Sequence, residues 1–480
     1  MEPTRAPSGA TPRPVPTQHE RPFGADEIFF STTDRRGIIR SGNRVFARVS
    51  GYTREELVGS PHNLIRHSDM PRCVFKLLWD EIQADRPIVA YVKNMAKDGA
   101  YYWVLATVVP CDGGYLSVRI KPTTALFDAV QGIYAELLAL EQDVEGGVPA
   151  RRPQAMQAAQ ERLGELLGAA GFSSYGAFMR TALLAEVNQF IKARRAPEAV
   201  TRAVGLADRH TLDQTLFASE SLDRFLGLLL GRIDVYTGLN RQLAEDTGTM
   251  QELAEDVQLF SLNAQLAACR VQEGGGALSA VSSLMQARTD ESAPAFRALV
   301  DDAASSASLL DAMLLPVGIA KLQAQALLAF LSELSEGRAD ERATADDLGA
   351  LAQCLANEVD QLTPTLVNLE ASLRTLGKHV TAVQSAIRSM RALELNGRIE
   401  AAHVAEAGAV VALFRSIAER ITRATTELDG LMRVGRFSLS SEIDKAHQSQ
   451  EHVTSIRGLV SMLGNSKPVS RNARGLLLAS

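Results

Sequence analysis

The sequence is poor in the features that mark a catalyst, a membrane span or a nucleic-acid binder. Only four of its 480 residues are cysteine (Cys73, Cys111, Cys269, Cys354), and no two form a C-x-x-C pair. That spacing gives no disulfide framework and no thiolate metal site, and it fits a reducing compartment. Basic residues are not in surplus: 50 Lys and Arg face 56 Asp and Glu, for a net charge of −6. A general nucleic-acid binder needs the opposite balance, so no nucleic-acid partner is expected. The Pro-rich start lacks the apolar core of a secretory signal. The most apolar stretch, Leu309 to Leu331, is interrupted by Asp311, Pro316, Lys321, Gln323 and Gln325. A span needs about 20 largely apolar residues, so no membrane span and a cytoplasmic location are expected. No phosphate loop, H-E-x-x-H, G-x-S-x-G or kinase glycine loop is present. No enzyme chemistry is expected.

Aromatic residues are scarce and uneven. Both tryptophans (Trp79, Trp103) and five of the eight tyrosines precede residue 125. A compact aromatic-bearing module is therefore joined to a long helical region. In the module, Ile28–Thr32 and Gly37–Arg40 read as strands around a turn at Asp34–Gly37. Asn43–Val49 and Glu55–Val58 read as short helices, and Pro71–Gln83 as a longer one with proline in its first turn. Ile88–Asn94, Tyr101–Pro110 and Tyr115–Lys121 read as three strands joined at Asp98-Gly99 and Gly113-Gly114. The order describes an antiparallel sheet clasping short helices. A helix from Ala125 to Val144 follows, and shorter helices then run to about 208.

Beyond residue 220 the pattern becomes heptad. Leu222, Leu229, Tyr236 and Leu243 recur every seven residues beside Leu226 and Ile233. A stronger stripe runs through Leu355, Val359, Leu362, Leu366, Leu369, Leu373, Leu376, Val380, Val383, Ile387 and Met390. Alternating spacings of four and three make a coiled-coil seam. Pro364, inside that stripe, should kink its helix or mark its start. Two segments also repeat. Leu262 to Ala268 matches Leu395 to Ala401 at a constant offset of 133 residues, which also relates Glu273 to Glu406. Each copy reads as a helical hairpin, with tips near 274–278 and 407–411. The alternative is chance similarity between Ala- and Leu-rich helices.

The module resembles the PAS domain of bacterial aerotaxis receptors. The matching residues are Ser31 to Asp34, Val49 to Leu57, the run from Gly59 through Pro71, Phe75, Trp79, Val92 to Asn94, Lys97 to Gly99 and Tyr102 to Val104. This resemblance implies non-covalent FAD and a sensor of redox state or oxygen. It places Asn43, Arg66, His67, Asp69, Trp79, Asn94 and Trp103 at the cofactor. The arginine and histidine suit an anionic cofactor. The asparagines offer amides, and the tryptophans offer walls for the ring. Asp69 is expected either to pair with Arg66 or to cap the helix that begins at Pro71. Three positions depart from the family: Ser68 and Ile88 stand where it has proline and tryptophan, and Ala90 where it has glycine. Heme on His67 and an empty, docking-only PAS domain remain as alternatives.

Residues from about 240 to 440 resemble the signalling hairpin of methyl-accepting chemotaxis proteins, in degenerate form. Asn263, Arg270, Glu273, Asn396, Glu400 and Glu406 carry the likeness, while Ala267 and His403 depart from it. In that family the tip binds the coupling protein CheW and the histidine kinase CheA, and receptors associate into oligomers. The expected fold is an α+β PAS domain followed by a long all-α hairpin or coiled-coil bundle with an internal duplication. The expected segments are a disordered Pro-rich start (1–22), PAS (23–125), a helical linker (126–210), two hairpins (211–335 and 345–465) and a flexible tail (466–480). The expected function is a sensory transducer, in which a change at the flavin is felt by Asn94 or Arg66 and passed to the helix after Thr124. A cofactor-free adaptor is the alternative, and a flavin oxidoreductase a more distant one.

Overall fold

The computed structural model describes residues 14–194, 206–232, 235–239, 241, 245, 259, 262–263, 266, 275–335, 344–403, 408–435 and 438–465. Five antiparallel strands form one sheet: β1 (Ile28–Asp34), β2 (Ile39–Gly42), β3 (Ile88–Met95), β4 (Tyr101–Cys111) and β5 (Gly114–Ile120), in the order β2-β1-β5-β4-β3. Two asparagine-like devices set the local chain direction. Asp34 accepts from the amides of Arg36 and Ile38 and closes the first turn. Asn43 caps α1 (Arg44–Ser50) by accepting from the Phe46 amide. Next come α2 (Arg54–Leu57), which begins with a Thr53/Glu56 capping box, a 3-10 turn at His62–Ile65, and α3 (Arg72–Gln83).

Strand β4 is longer than its partner β5, whose Ile120 pairs with Leu105. The first residues of β4 are therefore open along that edge. The segment before the domain fills the gap. Thr17 donates its amide to Gly99, Tyr101 to His19, and Arg21 to Tyr101. Disorder expected over 1–22 thus does not extend to residues 14–22, because unpaired strand groups recruit them. The expected tail, 466–480, lies outside the described residues.

The sheet's second face is covered by helices. On it lie α4 (Ala125–Glu145), through Phe127 and Tyr134, and α6 (Tyr175–Ala193), through Glu186, while α5 (Arg152–Ala169) packs on α3 and α4 and α7 (Leu206–Gly231) comes next in the chain. Four more follow: α8 (Gly275–Ser335), α9 (Thr344–Ala402), α10 (Gly408–Gly435) and α11 (Ser440–Asn465). The chain forms two compact units. The first holds the described residues up to Leu230 with Leu315–Gln361 and those from His447 onward. The second holds those within Gly231–Leu314 and Leu362–Ala446.

In the first unit, Phe30 of β1 meets Phe330 of α8 edge-on at 5.2 Å, and Lys321 of α8 pairs with Asp223 of α7 at 2.7 Å. Helix α8 contains a stretch of mean hydropathy 1.6, long and apolar enough by itself to cross a membrane, yet 72% of that stretch is buried within the fold. Composition alone therefore did not decide against a span. Here the apolar side chains pack on protein, and Lys321 is neutralised by Asp223.

In the second unit, α8 and α9 are joined by Ser306–Ser372 and by Asp302–His379 at 2.5 Å. Phe414 of α10 sits over Gly397 of α9, where an added Cβ would come within 2.2 Å of the ring. Every member of the stripe from Leu355 to Met390 is buried. Helix α9 runs without a break through Pro364, which therefore does not mark its start. The lost hydrogen bond is offset by burial on both sides, at Leu362 and Leu366. Of the first repeat copy only Leu262, Asn263 and Leu266 are described among 262–268, so the duplication rests on sequence alone.

Candidate functional site

The sheet face that carries α1 and α3 forms the floor of a cavity of about 230 Å³. Strand parity selects the floor. Ser31 and Thr33 come from β1, Tyr115, Ser117 and Arg119 from β5, Ala106 and Val108 from β4, and Val92 and Asn94 from β3. Ser31 pairs across the sheet with Ser117, and Arg119 with Ala106, so these residues stand on one face. One side of α3 supplies a wall through Phe75, Leu78, Trp79 and Ile82, at the spacing of a single helix face. Gly37 makes room for Trp79: it holds a positive φ of 79°, and a Cβ there would meet the indole at 2.8 Å. The volume lies just under the roughly 300–1,000 Å³ of pockets for drug-sized ligands, enough for a flat fused ring.

The electrostatics single out Arg119. It is 3% exposed, and among the described residues it forms no ion pair with a carboxylate. One Nη donates to Ser31 Oγ at 3.0 Å, the other to His62 Nε2 at 2.6 Å. The guanidinium always donates, so Nε2 must accept and His62 carries its proton on Nδ1. Burial, then the charge of Arg119, drives the His62 pKa down to about 3, so the ring is neutral. Burial lowers Arg119 to about 10, which leaves it charged at pH 7. A buried cation is thus held by neutral partners and by the faces of Phe46 and Phe29, 5.5 and 5.8 Å away. Uncompensated buried charge is costly. The cavity lining includes Arg36 and Arg66 as well and no Asp or Glu. Two buried polar atoms of the lining, Asn94 Nδ2 and Ser117 Oγ, have no hydrogen-bond partner.

The residues expected at a cofactor divide into two groups. Arg66, Trp79 and Asn94 line the cavity. Arg66 stacks over Phe75 at 4.1 Å and donates to the Met70 carbonyl. Asn43, His67, Asp69 and Trp103 do not line it. The Asn43 amide is occupied by the Phe46 and Phe30 amides, the Ile28 carbonyl and Glu333 of α8. His67 is buried, and its Nδ1 accepts from the Asp69 amide. It does not face the cavity, which removes the basis for a heme ligand there. Asp69 pairs with Lys93 at 2.6 Å, neither with Arg66 nor as a cap of α3. Trp103 falls on the opposite face by parity and packs edge-on against Phe127 of α4. Ile88, where the family has tryptophan, joins the core with Ile82, Val108 and Tyr115. Sequence reasoning missed Arg119, His62 and Ser117. The signal was present, because Tyr115, Ser117 and Arg119 alternate with Leu116, Val118 and Ile120.

At the tips, Asn263 and Asn396 are exposed and Glu400 is half-buried. Arg270, Glu273 and Glu406 lie outside the described residues.

Two carboxylates tie the cavity domain to its helices. Glu186 of α6, fully buried, accepts from Tyr91 of β3 and from the amides and hydroxyls of Thr123 and Thr124 at the start of α4. Glu141 of α4, also fully buried, accepts the Arg72 and Cys73 amides at the start of α3.

Comparison with known proteins agrees with this geometry. A family model described as the PAS fold matches residues 40–117. The chain is 40% identical over 131 residues to the aerotaxis receptor of Escherichia coli (strain K12), covering 26% of each. It is 29% identical over 83 residues to the nitrogen fixation regulatory protein of Klebsiella pneumoniae, covering 17% of each. Among solved structures it resembles a PAS domain from Colwellia psychrerythraea at 20% identity, with a TM-score of 0.18, covering 20% of this chain and 85% of that one. The chain thus spans about a quarter or less of the length of these two curated relatives. The N-terminal domain is a PAS domain, and the remainder is helical.

Proposed function

We propose that this chain is a sensory transducer whose PAS domain holds FAD by its flavin ring and reports redox state or oxygen through the helices that follow. The observation that carries the reading is Arg119, a buried cation at the cavity floor without a carboxylate, beside two unpartnered polar groups, Asn94 Nδ2 and Ser117 Oγ. A flavin ring has an apolar body and a polar edge that becomes anionic on reduction. The donor set fits that edge, and Trp79 and Phe75 fit the body. When bound, such a group supplies reversible electron uptake. The chain's own residues hold and orient it: Arg119 offers positive charge, Asn94 an amide, and Ser117 a hydroxyl.

Transmission is supported by the fixed links out of the cavity. Helix α3 forms the cavity wall, and its first turn is held by Glu141 of α4. Phe30 and Asn43 lie on α8 through Phe330 and Glu333. A displacement of the wall helix is therefore felt at α4, and one of β1 at α8. Coupling of this kind needs only about 1–3 kcal/mol.

The output proposed is the chemotaxis coupling protein CheW and the kinase CheA, in the cytoplasm. The support is an apolar pair beside the tip asparagines. Leu395 and Ile399 are 53% and 50% exposed, and Leu262 and Leu266, at the same places in the first copy, are 47% and 56% exposed. Exposed leucines in register with polar tip residues suit a protein partner.

The test is to purify the full chain and record its visible spectrum before and after adding FAD. A yellow protein whose colour bleaches on reduction and returns in air is expected. A chain that stays colourless with FAD present overturns the cofactor reading and leaves an adaptor.

A further inference from the structure

One corner of the PAS cavity joins an incompletely paired donor set to an aromatic wall. Ser117 of β5 stands directly across from Ser31 of β1 on one side and from Val108 of β4 on the other. Arg119, two residues along, donates to Ser31 Oγ at 3.0 Å, so its guanidinium lies over that row. Its second acceptor is His62 Nε2, on a neutral ring, and the planar fork has further N–H groups to offer. Ser117 Oγ is buried and has no hydrogen-bond partner. Val108 begins the apolar part. Around it pack Ile82 and Trp79 of α3 and Tyr115 of β5, with Trp79 and Tyr115 edge-on at 6.0 Å. No Asp or Glu lines the cavity. Arg36, also in the lining, is already paired with Asp34 at 3.3 Å.

We propose that this corner binds a small aromatic acid of the arylacetate class, its carboxylate on Arg119 and Ser117 and its ring over Val108 against Trp79. The donor side calls for an anion. A guanidinium takes a carboxylate through two parallel hydrogen bonds, and a hydroxyl adds another. Such an anion supplies the opposite charge that buried Arg119 lacks. The neighbouring wall calls for a ring, since Trp79 and Tyr115 favour aromatic partners set edge to face or offset. Spacing chooses the arm. Ser117 and Val108 sit on adjacent strands, about 4.8 Å apart. One methylene between ring and carboxylate spans that step, whereas a bare inorganic anion leaves Val108 and Trp79 uncovered. The cavity, at about 230 Å³, is small for a drug-sized ligand but ample for a single or fused aromatic ring. An acid seated here fills part of the space a flavin ring would take, so the two exclude each other. Binding of the acid itself needs no flavin.

The experiment uses the full chain without flavin, titrated by calorimetry with phenylacetate, acetate and 2-phenylethanol. Phenylacetate should bind and raise the melting temperature. Acetate lacks the ring and 2-phenylethanol lacks the charge, so each should bind about tenfold more weakly or worse. Arg119→Met should weaken phenylacetate binding by more than about tenfold and leave 2-phenylethanol unchanged. Ser117→Ala, a smaller change, should weaken it severalfold and tests the same corner where Arg119→Met fails to fold. In protein carrying Trp103→Phe, phenylacetate should alter the emission of Trp79, the remaining tryptophan. Acetate or 2-phenylethanol binding as tightly as phenylacetate, no binding up to about millimolar concentration, or full affinity in both variants overturns the proposal. Adding FAD separates this site from the flavin reading. A chain that stays colourless with FAD yet binds phenylacetate refutes only the flavin reading. A chain that binds FAD should lose it as phenylacetate is added, and one that keeps its FAD and ignores phenylacetate refutes only the acid site.

Discussion

The Glu141 carboxylate accepts the backbone amide of Cys73 at 2.7 Å, and with it caps α3 from 68 residues away. Pro71, the local cap position, makes no side-chain hydrogen bond. The first turn of the cavity wall is therefore held by the helix expected to carry the signal.

Replacing that carboxylate should be felt in both roles. Glu141→Ala should cost about 1–3 kcal/mol, the range for a lost cap that leaves buried amides unpaired. Urea denaturation followed by circular dichroism measures this. An unchanged midpoint would mean that the cap contributes nothing.

Arg119 yields a prediction in which binding and stability move in opposite directions. Arg119→Met removes a buried charge that has only neutral partners, so the cofactor-free protein should melt at the same temperature or higher. Flavin affinity should fall by more than about tenfold, since charge-assisted hydrogen bonds are the stronger ones. Thermal melts and fluorescence titration together check it. A clear drop in the melting temperature of cofactor-free protein would show that Arg119 is a structural residue.

The contact of α9 with the PAS domain, where Asp347 lies beside Arg54, should respond to pH. Burial raises Asp347 to about 6, against the pull of Arg54, which lies 3.7 Å away, and with Asp346 adding to the rise. Burial also raises Glu358 to about 7. Both folded values lie above the unfolded ones, so the folded state binds more protons in between. Stability is then fullest below about pH 4 for these two groups and declines as pH rises through 6 to 7. Each group contributes about 3 kcal/mol to that decline. Asp347→Asn with Glu358→Gln should flatten it. A pH profile of the denaturation midpoint that is equally steep in the double variant would refute the assignment.

The exposed tip pair offers a test that spares the fold. Leu395→Asp with Ile399→Asp should leave the melting temperature within a few degrees, because both side chains already meet solvent. Capture of the coupling protein and kinase in a pull-down should be lost. Undiminished capture would place the partner surface elsewhere.

Much of the architecture was legible before any coordinates. Alternation in Ile88–Asn94 and Tyr115–Lys121 and turns at Gly99 and Gly113 outlined the sheet. The spacing from Leu355 to Met390 named a stripe that is buried throughout. The site was only half legible. Arg66, Trp79 and Asn94 reach the cavity, while Trp103, one strand position out of phase, packs beneath α4. Asn43 looked like a ligand amide, but it is saturated as a helix cap and as a contact to Glu333.

Periodicity is written by near neighbours, so the sequence by itself determined the strands, the helices, their turns and the heptad seam. It also displayed the alternation of Ser117 and Arg119 with Leu116, Val118 and Ile120. Which of those two faces would hold the cavity depended on what covers the other. Helices packed on the apolar face, and only tertiary structure could turn the arginine inward, with neutral His62 as its neighbour. The same holds for the Glu141 cap and the Glu186 anchor, since each joins groups that become neighbours only when distant segments close on one another.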